Sequence, residues 1–196
     1  MDDSHIRWAI NALNDSGYQI KADIIFKPLS KYDLKLLHQW FHIPHVLKWY
    51  ARSENYTYEM IQEKYLPRVN DKFIPNFIIY LKDEPIGYAQ YYHVTHSLPE
   101  GIENYNNELF SQYEPNELVG VDFFIAEEKY LKGGYASQSL ESFIDRYLKN
   151  KFKAILVDPH KDNKKAILFF ERNGFKQTQY SHDINHIIMM KITERI

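Results

Sequence analysis

The stretch Tyr130-Leu131-Lys132-Gly133-Gly134-Tyr135-Ala136-Ser137 (YLKGGYAS) joins two segments of different character. Residues 118–126 are almost wholly apolar and predict a buried strand, and the segment after the glycines has the apolar spacing of a helix. Paired glycines allow a tight turn and a close approach of a ligand to the backbone. The free amides of a helix N-terminus attract anions, and Lys129 and Lys132 add positive charge. The stretch predicts either a pyrophosphate site or a plain strand-to-helix turn.

Hydrophobic spacing and turn residues predict the elements on both sides of this unit. Strands are expected at 22–28, 73–81, 86–94, 118–126, 153–157, 175–180 and 186–191. Helices are expected at 6–13, after a Ser30 cap, at 58–69, after Gly134 and at 163–172. This order predicts an α/β fold of the mixed α+β kind, with a mostly antiparallel central sheet flanked by helices. We expect a single domain over 1–196, with residues 1–20 as an N-terminal helical extension.

Composition excludes several classes of function. The 196 residues contain no cysteine, which rules out disulfides, thiolate metal sites and a cysteine nucleophile. No apolar run approaches the roughly 20 residues of a membrane span, and the acidic N-terminus is unlike a signal peptide, so we expect a cytoplasmic protein without a membrane partner. A pI near 6.5 without a basic stripe argues against nucleic acid. The close histidine pairs lack a third ligand, so no metal is expected.

Charge is distributed unevenly along the chain. Residues 83–128 contain ten acidic residues and no lysine or arginine, whereas residues 129–196 contain 13 basic and 7 acidic residues. Such asymmetry bears on partners rather than on the fold. The polar segment 95–117 is expected to be an acidic loop that faces a cationic substrate, although a merely solvated loop is the alternative. The basic C-terminal part suits a phosphorylated cofactor.

Two segments resemble the signature of the GNAT acetyltransferases. The turn 131–136 is similar to the coenzyme A pattern [QR]-x-x-G-x-[GA], with Leu131 at the first position. Asn163, Ala166, Phe170 and Gly174-Phe175 follow the pattern N-x-x-A-x-x-[FY]-[FY]-x-x-x-G-F. The resemblance implies the GNAT fold and acetyl-coenzyme A as acetyl donor. It implies contacts with that cofactor from Phe123, Phe124, Ile125, Lys132, Gly133, Gly134, Tyr135, Ala136, Ser137, Asn163, Ala166 and Phe170.

Further segments resemble one GNAT branch, the aminoglycoside 6′-N-acetyltransferases. They include Glu-Pro-Ile-Gly-Tyr at 84–88, Gly-Val-Asp at 120–122 and Asp-Pro-His-Lys at 158–161. An amine is mostly protonated at neutral pH and must lose a proton before it attacks a thioester. The resemblance gives the base role to Asp122 and an oxyanion-hole role to amides around Phe123 and Phe124. It implies that the acceptor contacts Trp49, Tyr50, Tyr88, Gln90, Asp122 and Asp158.

Other readings stay open at this stage. Many GNAT enzymes place a tyrosine where this chain has Phe170, which has no proton to give to a leaving thiolate. Acylation of an amine or hydroxylamine in siderophore assembly, acetylation of a protein or polyamine, and a coenzyme A-binding module without activity are the alternatives. Asp122 could also be a structural residue of a strand bulge. The acceptor is expected to be a small polycationic amine, and the protein a monomer or a homodimer.

Overall fold

A computed structural model describes residues 23–193; the predicted helix 6–13 and the extension 1–20 lie outside them. The described elements are β1 (Ile24–Pro28), α1 (Leu34–Phe41), α2 (Pro44–Trp49), α3 (Tyr58–Tyr65), β2 (Asn76–Leu81), β3 (Glu84–His93), β4 (Leu118–Ile125), α4 (Tyr135–Phe143), β5 (Ala154–Val157), α5 (Lys164–Arg172), β6 (Lys176–Gln177) and β7 (Met189–Ile192). A short 3₁₀ turn, Leu66–Arg68, extends α3, and a π-helical turn, Ile144–Leu148, extends α4.

The seven strands form one sheet in the order β1-β2-β3-β4-β5-β7-β6. All neighbours are antiparallel except β4 and β5, which are parallel. Helices α4 and α5 cover one face through a core that includes Phe143 and Phe170. Helices α1 to α3 cover the other face through Trp40, Phe41 and Tyr65. The predicted mixed, mostly antiparallel fold is therefore confirmed.

Local signals account for most helix boundaries. Ser30 and Asp33 form the predicted capping box, in which the Asp33 carboxylate accepts from the Ser30 amide at 2.8 Å. Pro44 begins α2, because its missing N–H is not needed in a first helical turn. Pro67 similarly ends α3 earlier than the predicted 58–69 helix.

The segment 95–117 is a loop with two 3₁₀ turns that packs against the core. Ile102 and Leu109 are buried in a third apolar cluster with residues of β4, β5 and the C-terminal region. Residues 108–111 and 115–117 form two 3₁₀ turns. Apolar anchoring therefore fixes this segment against the edge of the core and leaves most of its acidic side chains on the outer surface.

Candidate active site

A cleft opens where β4 and β5 separate. The strands pair only from Leu118 to Gly120, opposite Ala154 to Leu156. Beyond Gly120, β4 continues without a partner on this side among the described strands. The cleft has a volume of about 1240 Å³. Its turn end is lined by Lys132, Ala136, Asn163, Lys164, Lys165 and Ala166, and its carboxylate end by Arg52, Lys64, Arg68, Gln90, Tyr92, Glu100 and Asp158.

The backbone of β4 presents alternate residues to this cleft. The Ala126 amide donates to the Ile86 carbonyl at 2.8 Å, and the Val94 amide donates to the Leu118 carbonyl at 3.4 Å. Because partners alternate along an antiparallel ladder, the even-numbered residues of β4 bond β3, and the odd-numbered ones point their N–H and C=O groups towards the gap. The Phe123 amide is thus available to a ligand. The Phe124 amide is directed to β3 instead, so of these two amides the Phe123 amide alone faces the gap; the oxyanion-hole role stays a prediction.

The side chains of this strand divide in the same way between the two faces of the sheet. Phe123 stacks on Phe169 of α5 with ring centroids 6.0 Å apart. Phe124 packs with Tyr50, 4.6 Å away, in the core beneath α1 to α3. The carbonyl of Ile125 accepts a hydrogen bond from Nε2 of His45 at 2.8 Å. The last residue of β4 is therefore held by α2 on the side where no described strand pairs with it.

Two consecutive glycines shape the turn end. Gly133 and Gly134 have φ of 81° and 79°, left-handed values that other residues rarely adopt, and α4 begins directly after them. The side chains of Tyr135 and Ser137 are engaged by neighbours, Tyr130 at 5.4 Å between ring centroids and Asn173 by a 3.1 Å hydrogen bond. Backbone groups are therefore what this turn offers to an anion. The contacts predicted for Gly133, Gly134, Tyr135 and Ser137 stay predictions.

Basic residues at the turn end differ in part from those expected. Lys129 forms an ion pair with Glu84 on β3 and does not line the cleft. Lys132 does line it, together with Lys164 and Lys165 of the first turn of α5. The last two were not predicted, although two lysines directly after Asn163 are a visible signal. Three lysines therefore offer positive charge at this end.

The opposite wall is formed by the start of α5. Asn163 caps this helix, since its Oδ1 accepts from the Ala166 amide at 3.2 Å. Ala166 and Phe170 also line the cleft, but Phe170 is only 7 % exposed and packs on Phe175 with ring centroids 5.4 Å apart. Phe170 is therefore mainly a core residue whose edge reaches the cleft.

A row of polar side chains crosses the carboxylate end. Asn76, Gln90 and Asp122 are register partners on β2, β3 and β4, so their side chains share one face of the sheet. The Gln90 amide nitrogen donates to the Asp122 carboxylate. The Tyr88 hydroxyl lies 2.7 Å from Gln90 Oε1 and also contacts Asn76 Oδ1, and it can donate its one proton to either. Tyr88 is fully buried and holds Gln90 rather than lining the cleft, and its predicted contact with the acceptor stays a prediction.

The pKa of Asp122 is raised overall, although several neighbours act to lower it. Burial raises the pKa of its carboxyl, whereas the Gln90 hydrogen bond and the positive charges of Arg68, Lys64 and Arg52 lower it. Arg68 also donates from Nη1 to Gln90 Oε1 at 3.1 Å. Gln90 thus bridges a guanidinium and a carboxylate, with its amide oriented by both. A purely structural role for Asp122 in a strand bulge does not account for this arrangement, because the β3–β4 register is continuous at Asp122.

Asp158 lies at the end of β5 in the same part of the cleft. One of its carboxylate oxygens accepts from the Glu100 amide at 2.6 Å, and Glu100 is ion-paired with Arg52 at 2.7 Å. Burial and repulsion from Asp122 raise the pKa of Asp158 to about 7. Two carboxylates in one low-dielectric site resist simultaneous ionisation.

This raised pKa gives a first testable prediction. An unfolded Asp titrates near pH 3.9, so between about pH 4 and pH 7 the folded state holds a proton that the unfolded state has lost. Asp158 therefore contributes stability that is present below about pH 4 and is lost as the pH rises to about 7. We expect the free energy of unfolding of Asp158→Asn, measured in urea, to increase relative to that of the wild type as the pH rises across this interval. Asp162→Asn, at an exposed neighbour, should show no such gain; an equal gain would contradict the assignment.

Aromatic side chains complete this end of the cleft. Trp49 is half-buried, with Lys48 Nζ 4.5 Å from its ring centroid and His160 5.8 Å away. Tyr50 lines the cleft, and burial keeps the pKa of its phenol well above 10. Tyr92 was not predicted. Its ring crosses Gly120 so closely that a Cβ there would lie 1.9 Å from Tyr92 Cζ, and burial together with Asp158, Asp122 and Glu100 keeps its pKa well above 10.

The expectation of a strongly acidic acceptor surface is not met. Of the segment 95–117, only Ser97, Leu98 and Glu100 line the cleft. The acidic residues around the carboxylate end are Glu54, Glu100, Asp122 and Asp158, and the basic ones are Lys48, Arg52, Lys64 and Arg68. The formal charges of these two sets balance, because two arginines and two lysines from the region of α2 and α3 line the same end of the cleft as the four carboxylates.

Comparison with known proteins agrees with this geometry. Residues 30–182 match the model of the acetyltransferase (GNAT) domain family. Aminoglycoside N(6′)-acetyltransferases type 1 from Klebsiella pneumoniae and Serratia marcescens are each 27% identical over 157 residues, which is 79% of this chain and 74% of theirs. The structure of AAC(6′)-Ib with coenzyme A and kanamycin has a TM-score of 0.68 at 24% identity and covers 87% of this chain and 95% of that one. An uncharacterised protein from Bacillus halodurans gives 0.70 at 20% identity and covers 86% and 83%.

The fold and the split sheet define an acetyltransferase domain. This chain belongs to the GNAT acetyltransferase family, whose acetyl donor is acetyl-coenzyme A. The family, the fold class and the cofactor predicted from the sequence are thus confirmed. Within the described residues, no helix has the length and apolarity needed to cross a membrane.

Proposed function

We propose that this protein transfers the acetyl group of acetyl-coenzyme A to the 6′-amine of an aminoglycoside, with Asp122 as the base. The observation that carries the proposal is the placement of Asp122, which lines the carboxylate end of the cleft, is held by Gln90 and precedes Phe123, whose amide faces the gap. The curated relatives, which are aminoglycoside 6′-N-acetyltransferases, support the choice of acceptor. Cytoplasmic localisation, the lack of a nucleic-acid partner and the oligomeric state stay predictions.

The cleft fits an extended, phosphorylated cofactor. The free edge of β4 can hydrogen-bond an amide-containing arm, as a neighbouring strand would. The left-handed glycine turn, the helix N-terminus behind it and the three lysines at the turn end suit a pyrophosphate. When bound, acetyl-coenzyme A supplies a thioester whose carbonyl carbon is open to attack by an amine.

Residues of this chain would remove the proton of the amine and stabilise the carbonyl oxygen of the thioester. Asp122 holds the acceptor ammonium and takes its proton, directly or through water, so that the nitrogen lone pair becomes free. The Phe123 amide is placed to donate to the carbonyl oxygen as negative charge develops on it. The new bond is C–N and the bond that breaks is C–S. Phe169 and Phe170 have no proton for the departing sulfur, so we expect solvent to protonate it.

A direct test is acetyl transfer itself. Release of free coenzyme A would be followed with a thiol reagent in the presence of kanamycin A, spermidine or a lysine-containing peptide, and the product from kanamycin A would be located by NMR. We expect turnover of kanamycin A with acetylation at the 6′-amine. Binding of acetyl-coenzyme A without turnover of any amine would contradict an enzymatic function, and turnover of only the peptide or spermidine would contradict the acceptor.

The bridge from Arg68 through Gln90 to Asp122 gives a second prediction. Replacing Arg68 by methionine removes a positive charge that lowers the pKa of Asp122, so that pKa should rise. The acidic limb of the kcat/KM profile should then move to higher pH. Arg68→Lys, which keeps the charge, should move it less. An unmoved limb in Arg68→Met, or an equal displacement in both variants, would contradict the role of the charge.

A further inference from the structure

Two cations form part of the wall of the carboxylate end. Lys64 is in the last turn of α3, and Arg68 follows four residues later in the 3₁₀ extension. Both are half-buried and both line the cleft. Like charges four residues apart on a helix repel one another and lower its stability. The position of these two residues therefore does not stabilise α3.

Neither cation is paired with a carboxylate. Over residues 23–193, the structure has no Asp or Glu oxygen within ion-pair distance of Lys64 or Arg68. Lys64 Nζ donates to the Tyr56 hydroxyl at 3.0 Å, and Arg68 donates to Gln90 at 3.1 Å. An ammonium has three donors and a guanidinium has five. Most N–H groups of these two side chains therefore have no hydrogen-bond partner among the described residues and can serve a ligand in the cleft.

The two cations differ in their relation to the base. Arg68 reaches Asp122 through Gln90, which gives it a role without any ligand. Lys64 makes no contact with Gln90 or Asp122, and its other neighbours are the rings of Tyr56 and Tyr65, at 4.9 and 5.7 Å from Nζ. Burial and the charges of Arg68 and Arg52 lower the pKa of Lys64, and the carboxylates of Asp122 and Glu54 oppose this change. Lys64 therefore acts on the base only through its charge, and its remaining N–H donors are available to a ligand in the cleft.

We propose that Lys64, together with Arg68, forms a subsite for an oxygen-bearing group next to the reacting amine, a hydroxyl or a carboxylate, and disfavours a second ammonium there. This inference rests on the proposed function, because it concerns the acceptor of the same site. Donors on the wall match acceptor oxygens, whereas an ammonium at this depth faces two positive charges in a medium of reduced dielectric. Further ammonium groups of the acceptor are left to the side of the carboxylate end formed by Glu100 and Asp158.

The test compares acceptors that differ by one amino group. Kanamycin A has a single amino group on the ring that bears the 6′-amine, and kanamycin B has a second one at carbon 2′; 5-aminopentanol and cadaverine form a simpler pair. We expect the wild type to prefer the first member of each pair in kcat/KM. In Lys64→Met this preference should fall about tenfold, while Lys72→Met, at an exposed lysine outside the cleft, should leave it unchanged.

Several outcomes would overturn the subsite. They are an unchanged preference in Lys64→Met, an equal change in Lys72→Met, or a preference of the wild type for the diamines. Lys64→Gln provides a second neutral variant if the methionine variant does not fold, and Lys64→Arg should retain the selectivity. Dissociation constants of all four compounds would also be measured by calorimetry with coenzyme A bound. If the wild type acetylates neither kanamycin, the proposed function fails, and the effect of Lys64→Met on those constants still decides the subsite.

Discussion

Replacing Asp122 by asparagine is expected to lower kcat/KM for the acceptor by about 10²–10⁴, the usual contribution of a general base. Asparagine keeps the shape of the side chain and an oxygen that can accept from Gln90, so the polar row across the three strands should persist. What is lost is the ability to take the proton of an ammonium. Steady-state kinetics over a range of pH would measure the effect.

The control measurements separate loss of a base from loss of structure. The melting temperature and the affinity for coenzyme A should be close to those of the wild type, because Asp122 lies outside the turn end. Asp83→Asn, at an exposed turn between β2 and β3, should retain full activity. If Asp122→Asn is as active as the wild type, Asp122 is not the base and the proton leaves by another route.

Replacing Gly87 by alanine is expected to destabilise the fold by about 3 kcal/mol, at the upper end of the usual cost of overpacking. A Cβ at this position would lie 2.3 Å from the Phe124 carbonyl oxygen and 3.0 Å from Ile125 Cα. These are backbone atoms of β4, which cannot rotate away as a flexible side chain could. Urea unfolding would measure the loss, and the affinity for acetyl-coenzyme A should fall as well, because the displaced residues border the cleft.

Gly134→Ala provides the matched comparison. The nearest atom to a Cβ there is 3.8 Å away, so the space is free, but φ is 79°. The expected cost is therefore only that of the left-handed conformation, about 1–2 kcal/mol. Equal destabilisation by the two variants would show that contact with the backbone of β4 is not what requires glycine at position 87.

The sequence predicted the elements well where local chemistry decides them. The Ser30–Asp33 box, the Thr57 cap, and Gly174 after α5 are signals within a few residues of the boundary that they set. The prediction was less accurate for 175–180, where only Lys176 and Gln177 pair with β7. Such a short edge strand depends on where its neighbour lies, which no local pattern specifies.

The carboxylate end could be predicted only in part for the same reason. Asp122 stood out because a charged residue on an apolar strand requires a partner. The hydrogen bonds from Arg68 to Gln90 and from Gln90 to Asp122 join three segments that are distant in sequence. They form only once the sheet and α3 are packed together. The prediction that segment 95–117 faces the acceptor rested on its composition alone. Burial of Ile102 and Leu109 instead anchors this segment against the core. Glu100, its one acidic residue that lines the cleft, is paired with Arg52.

The separation of β4 from β5 has a consequence for how the protein survives heat. Beyond Gly120, β4 pairs with β3 but with no described strand on its other side, so a cofactor that lies against that side would complete the sheet. A ligand at 100 times its dissociation constant adds about 2.7 kcal/mol to the folded state. The thermal denaturation midpoint should therefore rise with the concentration of added acetyl-coenzyme A, as differential scanning calorimetry would show.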